Sequence, residues 1–329
     1  MKCEQSVSAI KDIPAIGLGT YKLKTQEEIV YSMSNAIESG YRMFDTAELY
    51  KNEKHISYFI KNNLKDYNLA RTDIWITTKI SYFTMLKDKI KIKNVILNSI
   101  ELFDGYVDLF LIHSSNPNDL ITWELLREFQ LSGQIRYIGI SNYNLDKLEN
   151  FTQAIGEDAR MIYANQIEFN PFLNRHDLLI KCRDLGIKVI AYGSLYKTNS
   201  YIEDLSCKYY KTPEQILLQW AQLKGLIIIP MSRNKEHIRE NIQDIQAIQE
   251  IQNIQDNLTI LSNLDNQNNQ DNQNNQDNQN NQDIQYNQDI QYNQDILYSI
   301  RINKCILDKQ EIALLDCFNE NYTRFLKHI

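Results

Sequence analysis

A chain of 329 residues with 43% hydrophobic content has room for one large globular domain or two ordinary ones. Its net charge of −7 is concentrated in residues 242–300, which hold eight Asp and one Glu but no Lys or Arg; the remainder (−7 less −9) stands near +2 and argues against a nucleic-acid partner. Five scattered cysteines, Cys3, Cys182, Cys207, Cys305 and Cys317, form no CxxC pair, and no apolar run reaches membrane-spanning length, so a reduced, cytosolic, non-membrane protein without disulfides is expected.

Taken in chain order, short apolar runs alternate with amphipathic ones. A first strand is expected at Ile16–Leu18, followed by a helix over Gln26–Ser39. Strand-like runs then come at Met43-Phe44, Ile74–Thr78, Val107–Ile112, Ile135–Ile140, Ile162–Gln166, Lys188–Tyr192 and Leu226–Ile229. Helical patterns separate them near Glu53–Lys65, Lys91–Leu102, Ile121–Leu131, Leu145–Thr152, Arg175–Leu185 and Pro213–Gln222, with another after Pro230. Nearly continuous apolar strands imply burial on both faces, hence a parallel sheet covered by helices. Eight βα units predict a closed (β/α)8 barrel, a TIM barrel, in preference to an open sheet. A short hairpin at Val7–Ile16 would plug its bottom.

The tail departs from this alternation. Pro230 is the last proline and Gly225 the last glycine. Ile242, Ile245, Ile248, Ile251 and Ile254 recur every third residue, and Asp265 to Asp295 every sixth within Asn and Gln. A three-residue spacing drifts around a helix, and the Asn/Gln block has little to bury against the entropy of ordering. Residues 243–299 therefore read as a low-complexity, centrally disordered insertion in a single domain spanning 1–329. Globular character returns at Ile302 and in Ile312–Phe318.

Four reactive side chains lie at or just beyond strand ends: Asp45, Tyr50, Lys79 and His113. Parallel β/α folds build their sites at those ends. Singly, Asp45 could be a cap, Lys79 a surface lysine and His113 a structural histidine; delivered together, an acid, a phenol, an amine and an imidazole look like one site. A phenol is a reluctant acid near neutral pH, and an adjacent ammonium would ease its proton release. The glycines Gly17 and Gly19 are followed by Lys22, where a dinucleotide-binding Rossmann turn needs a third glycine.

The ordered motifs resemble the aldo-keto reductase family. Gly17-Leu18-Gly19-Thr20-Tyr21 is similar to its first strand and turn, and Gly40 to Ala47, continuing to Tyr50, Asn52 and Glu53, resembles its best-known signature. Asp108–His113, Gly133–Asn142, Asn165–Pro171 and Ala191-Tyr192 follow in the family's order. The resemblance covers about residues 8–241 and 302–325. It implies an oxidoreductase of alcohol dehydrogenase (NADP+) type that reduces an aldehyde or ketone with a nicotinamide hydride. Tyr50 would be the proton donor, Lys79 and Asp45 its support, and His113 the group that orients the carbonyl, with Tyr21 also shaping the substrate site. It further implies Ser141, Asn142 and Gln166 for the carboxamide and Tyr192 for the ring. Gly19, Thr20, Tyr21 and Ser194 would line the same cleft, and Ser232, Arg233, His237, Glu240 and Asn241 the adenosine end.

Departures from the family pattern bear on cofactor and substrate. Met231 and His237 stand where the family usually has a lysine and an arginine that grip the 2′-phosphate of NADPH; losing such a contact removes about 1.5–3 kcal/mol. Arg233 and Lys235 are near enough to compensate, which keeps NADPH ahead of NADH. Ser114-Ser115-Asn116-Pro117 replaces a segment that often carries an aromatic, and Asn170 a frequent histidine, so an open, less aromatic pocket is expected. The expected enzyme is a monomer acting on a small carbonyl compound without a metal. The rival reading is a catalytically weak nicotinamide-binding regulatory subunit on the same fold.

Overall fold

Eight strands pair side by side in chain order, every pair parallel, in the computed structural model, which describes residues 12–249 and 306–318. They are β1 (Leu18–Gly19), β2 (Met43–Asp45), β3 (Trp75–Ile80), β4 (Val107–Ile112), β5 (Ile135–Ser141), β6 (Ile162–Glu168), β7 (Lys188–Tyr192) and β8 (Ile227–Ile228). The last strand returns to the first. Ile16 bridges Ile228 in parallel, and the N–H groups of Gly17 and Gly19 donate to the carbonyls of Ile228 and Pro230, both at 2.9 Å. The sheet therefore closes into the expected barrel, with no unpaired edge at this junction. Gly19 permits the approach: a Cβ there would lie 2.8 Å from the Ile229 carbonyl oxygen. The expected hairpin at Val7–Ile16 lies largely outside the described residues.

Helices cover the barrel. They are α1 (Gln26–Glu38), α2 (Glu53–Asn63), a single turn α3 (Tyr82–Met85), α4 (Lys89–Leu102), α5 (Asp119–Leu131), α6 (Leu145–Ile155) and α7 (His176–Asp184). After β7 come α8 (Ser200–Tyr209) and α9 (Pro213–Leu223). Two of these helices begin in capping boxes. Thr25 and Glu28 close a capping box on α1, and Thr212 with Gln215 closes one on α9, which has Pro213 in its first turn. Helix α8 was not anticipated. It buries only Ile202 and Leu205 and so shows no long apolar stripe, yet the Asn199 side chain caps it at the Ile202 N–H.

A tenth helix, α10, runs over 235–249, into the stretch expected to be an insertion. Ile242, Ile245 and Ile248 are all buried on it. A three-residue step rotates about 60° short of a full turn, so three such residues still share one broad face. The remainder of the repeat lies outside the described residues. The chain returns in α11 (Lys309–Asp316), where Asp316 accepts from the Trp220 indole at 2.9 Å and Lys224 at 2.8 Å. The Leu307 N–H donates to Gln219 at 2.8 Å, so this returning segment docks on α9.

Candidate active site

Strand register delivers the four reactive side chains to one rim. Asp45 pairs in register with Thr77 on β3, two residues before Lys79, and Lys79 with Leu111 on β4, two residues before His113. Lys79 Nζ donates to Asp45 Oδ1 at 2.7 Å and to the Thr46 carbonyl at 2.8 Å, and it lies 3.5 Å from the Tyr50 hydroxyl. The other Asp45 oxygen accepts from Gln166 Nε2 at 2.7 Å, across 121 positions of chain. Asp45 and Lys79 are almost wholly buried, at 2% and 1% exposure, so each charge depends on the other.

Tyr50 closes a one-turn 3-10 segment, Glu48–Tyr50, beyond β2. Glu48 anchors that turn, accepting from the Ser81 N–H at 2.8 Å and the Thr84 hydroxyl at 2.5 Å at the start of α3, just beyond β3. Asn52 anchors the following residues to the Thr20 and Leu23 carbonyls and accepts from the Thr46 hydroxyl at 2.6 Å. The Tyr50 ring meets Tyr21 edge-on at 5.1 Å and His113 at 5.8 Å. Neither Glu48 nor Asn52 was assigned a role from sequence, although Asn52 stands inside the signature stretch.

The electrostatics differ from the simplest expectation. Burial lifts the Tyr50 phenol well above 10.0, and the Asp45 carboxylate adds to that lift. Lys79 is itself lowered by burial, with Asp45 opposing. The ammonium therefore does not turn the resting phenol into a phenolate; Tyr50 stays protonated and retains its proton for donation. Burial and the Lys79 charge lower His113 to about 3, so its imidazole is neutral, and its Nδ1 is buried with no hydrogen-bond partner.

Beside this cluster sits a second, hydrogen-bonded one. Ser141 Oγ donates to the Gln166 carbonyl at 2.8 Å, Asn142 Nδ2 to the His113 carbonyl at 2.9 Å, and the Tyr192 hydroxyl to Asn142 Oδ1 at 2.6 Å. Asn142 takes a left-handed backbone (φ 62°), strained for a side-chain-bearing residue and held by these bonds. Amide, hydroxyl and aromatic groups gathered beside an unpartnered imidazole nitrogen fit a carboxamide-bearing aromatic ring. Ser194, buried, donates instead to the Phe169 carbonyl at 3.2 Å, and Thr20 to the Asp45 carbonyl at 2.8 Å; both brace the rim.

A sequence model of the Aldo/keto reductase family matches residues 15–199. The chain is 35% identical over 240 residues to methylglyoxal reductase DkgB of Escherichia coli O157:H7, covering 70% of this chain and 86% of that protein. The chain belongs to the aldo-keto reductase family. Glyoxal reductase of Bacillus subtilis (strain 168) is 32% identical, with coverage of 70% and 82%. Among solved structures, MGS-M4, an aldo-keto reductase enzyme from a Medee basin deep-sea metagenome library, superposes with a TM-score of 0.71 at 23% identity, covering 96% of this chain and 94% of that one. As an aldo-keto reductase the protein is an oxidoreductase that reduces a carbonyl to an alcohol with a nicotinamide cofactor. No helix among the described residues is long and apolar enough to cross a membrane, and no group of metal-ligating side chains occurs among them.

Beyond β8 the chain of this aldo-keto reductase runs through residues 229–234 into α10. Met231, Ser232, His237, Glu240 and Asn241 line one small cavity of about 60 Å³. Leu195, Thr212 and Glu214 line it too. Those three come from the β7 side, and no motif marked them. Ser232 accepts from the Asn234 N–H at 3.0 Å, while Asn234 caps α10 at the Glu236 N–H. The two cations expected to compensate, Arg233 and Lys235, both have partners within the protein. Arg233 pairs with Glu28 at 3.1 Å and donates to the Lys22 carbonyl, and Lys235 pairs with Glu38 at 3.7 Å.

Proposed function

We propose that this enzyme reduces small aldehydes, methylglyoxal and glyoxal foremost, to alcohols, an activity of the alcohol dehydrogenase (NADP+) type, and takes NADPH ahead of NADH. The observation that carries this reading is the buried Asp45–Lys79 pair set 3.5 Å from the Tyr50 hydroxyl, in a chain whose relatives are named for reduction of those compounds. When bound, the reduced nicotinamide supplies the hydride, which no side chain can provide.

The residues divide the remaining work. Tyr50 gives the proton to the carbonyl oxygen, since burial keeps its phenol protonated. Lys79, steadied by Asp45, stabilises the tyrosinate left behind. The neutral His113 imidazole donates a hydrogen bond that aims the carbonyl, and Tyr21 walls the substrate at the mouth. Ser141, Asn142 and Gln166 hold the carboxamide, and Tyr192 the ring. The Ser114–Pro117 segment and Asn170 favour a small, open pocket. Asn170 is buried in a turn, where it donates to the Gly193 carbonyl and accepts from the Phe172 N–H. Nothing in the site or among the relatives favours a non-catalytic subunit.

Loss of nicotinamide absorbance with methylglyoxal, glyoxal and a bulky aromatic aldehyde tests the proposal. Tyr50→Phe should lower turnover about 10²–10⁴-fold while nucleotide binding holds. Unchanged turnover in that variant would remove Tyr50 from the chemistry, and strong preference for the aromatic aldehyde would remove the small-substrate reading.

A further inference from the structure

Resting on the assignment of a nicotinamide dinucleotide to this cleft, we propose that Glu28 sets the nucleotide preference by competing with the 2′-phosphate for Arg233. A second anion on the ribose needs a cation to meet it. The two lining positions where one is wanted hold a thioether, Met231, and an imidazole, His237. Arg233 directly follows Ser232 of the same lining, but its guanidinium is turned to the neighbouring strand's loop. There it binds the Lys22 carbonyl, 211 positions away in the chain, and Glu28 Oε1 at 3.1 Å. Lys235, two residues further on, pairs with Glu38 at the far end of α1, at 3.7 Å.

The two oxygens of Glu28 do different things. Oε2 caps α1, accepting from the N–H groups of Lys24 at 2.7 Å and Thr25 at 3.2 Å, and these donors hold the carboxyl below its ordinary range. Oε1 faces Arg233. The capping box fixes the carboxylate in place, so the competitor is preorganised and not a wandering surface charge. Arg233 is half exposed (54%) and Glu28 less so (31%), which leaves the guanidinium free to exchange one anion for another. NADH, with a plain 2′-hydroxyl, makes no bid for Arg233 and leaves the pair closed.

This division yields a clean substitution. Glu28→Gln keeps an oxygen for the cap, since Gln serves at that position of a capping box, and removes the charge that holds Arg233. Dissociation constants for NADPH and NADH are read by fluorescence titration of the unmodified enzyme, Glu28→Gln, Arg233→Ala and the double variant. Glu28→Gln should tighten NADPH about two- to fivefold, the scale of an exposed ion pair, and leave NADH unchanged. The gain should vanish in the Arg233→Ala background. Equal shifts for both nucleotides, no shift for either, or a gain that survives Arg233→Ala would each overturn the inference while leaving the reductase reading intact. A lowered melting midpoint with both nucleotides weakened would place Glu28 in the fold alone and also overturn it. An unmodified enzyme that binds neither nucleotide would overturn both.

Discussion

At the amino end of the strands, Asp108 accepts from the Ile76 N–H at 2.9 Å, from Arg71 at 2.8 Å and from Arg136 at 3.0 Å. Both guanidinium groups lie over the Tyr106 ring, at 4.0 and 4.5 Å. Trp75, Tyr137 and Tyr163 stack nearby, with Tyr137 and Tyr163 at 3.9 Å. At the carboxyl end, Asp45 is equally buried but has one cation and one amide as partners. Around it lie a neutral histidine with an orphaned nitrogen, a left-handed asparagine and a phenol lifted by burial. Both ends bury a carboxylate. The first meets its polar demands within the protein and acts as a staple; the second leaves demands for a ligand to complete, as functional sites do.

Cutting each buried pair should separate the two roles. Lys79→Met isolates Asp45 and should cost about 3–5 kcal/mol of stability. It should also lower turnover per folded molecule about 10²–10⁴-fold, because the support of Tyr50 goes with it. Asp108→Ala should cost a similar 3–5 kcal/mol by urea titration, yet leave turnover per folded molecule intact. A large activity loss in that variant would mean that the amino end is coupled to the chemistry.

Gly19→Ala probes the seam between β1 and β8. Its Cβ would press on the Ile229 carbonyl oxygen at 2.8 Å, and forcing that seam apart should cost about 1–3 kcal/mol. Since Met231 and Ser232 follow at once, nucleotide affinity should fall in the same variant; unaltered binding and melting would show that the seam gives freely.

The smallest effect at neutral pH belongs to His113. Its folded-state value of about 3 lies below the ordinary 6.5, so between those pH values the unfolded chain binds a proton that the folded chain does not. Stability should therefore fall as pH drops from 6.5 toward 3, by the slope of up to one proton. His113→Gln should flatten that slope in urea midpoints measured from pH 7 downward while hardly moving the neutral value. An unchanged slope would show that the imidazole is protonated in the folded protein.

Much of the barrel is readable in the amino-acid sequence alone. Each strand core is a nearly unbroken apolar run, because parallel strands between helices bury both faces. Helix α8 escaped because two buried residues make no periodic stripe, and α10 ran further than expected because its isoleucines drift only slowly off one face. The reactive quartet was legible as strand ends, but the anchoring of the Tyr50 turn by Glu48 was not, since Glu48 reaches Ser81 and Thr84 at the start of α3, in a different βα unit.

By itself the sequence determined the order of strands and helices, the placing of Asp45, Tyr50, Lys79 and His113 at strand ends and the uncharged Met231 that follows β8, all of which depend on neighbours in the chain. The tertiary structure alone decided that Tyr50 keeps its proton, that His113 stays neutral and that Arg233 is held by Glu28. Those outcomes come from desolvation and from charges brought together by distant segments, and no local pattern records them.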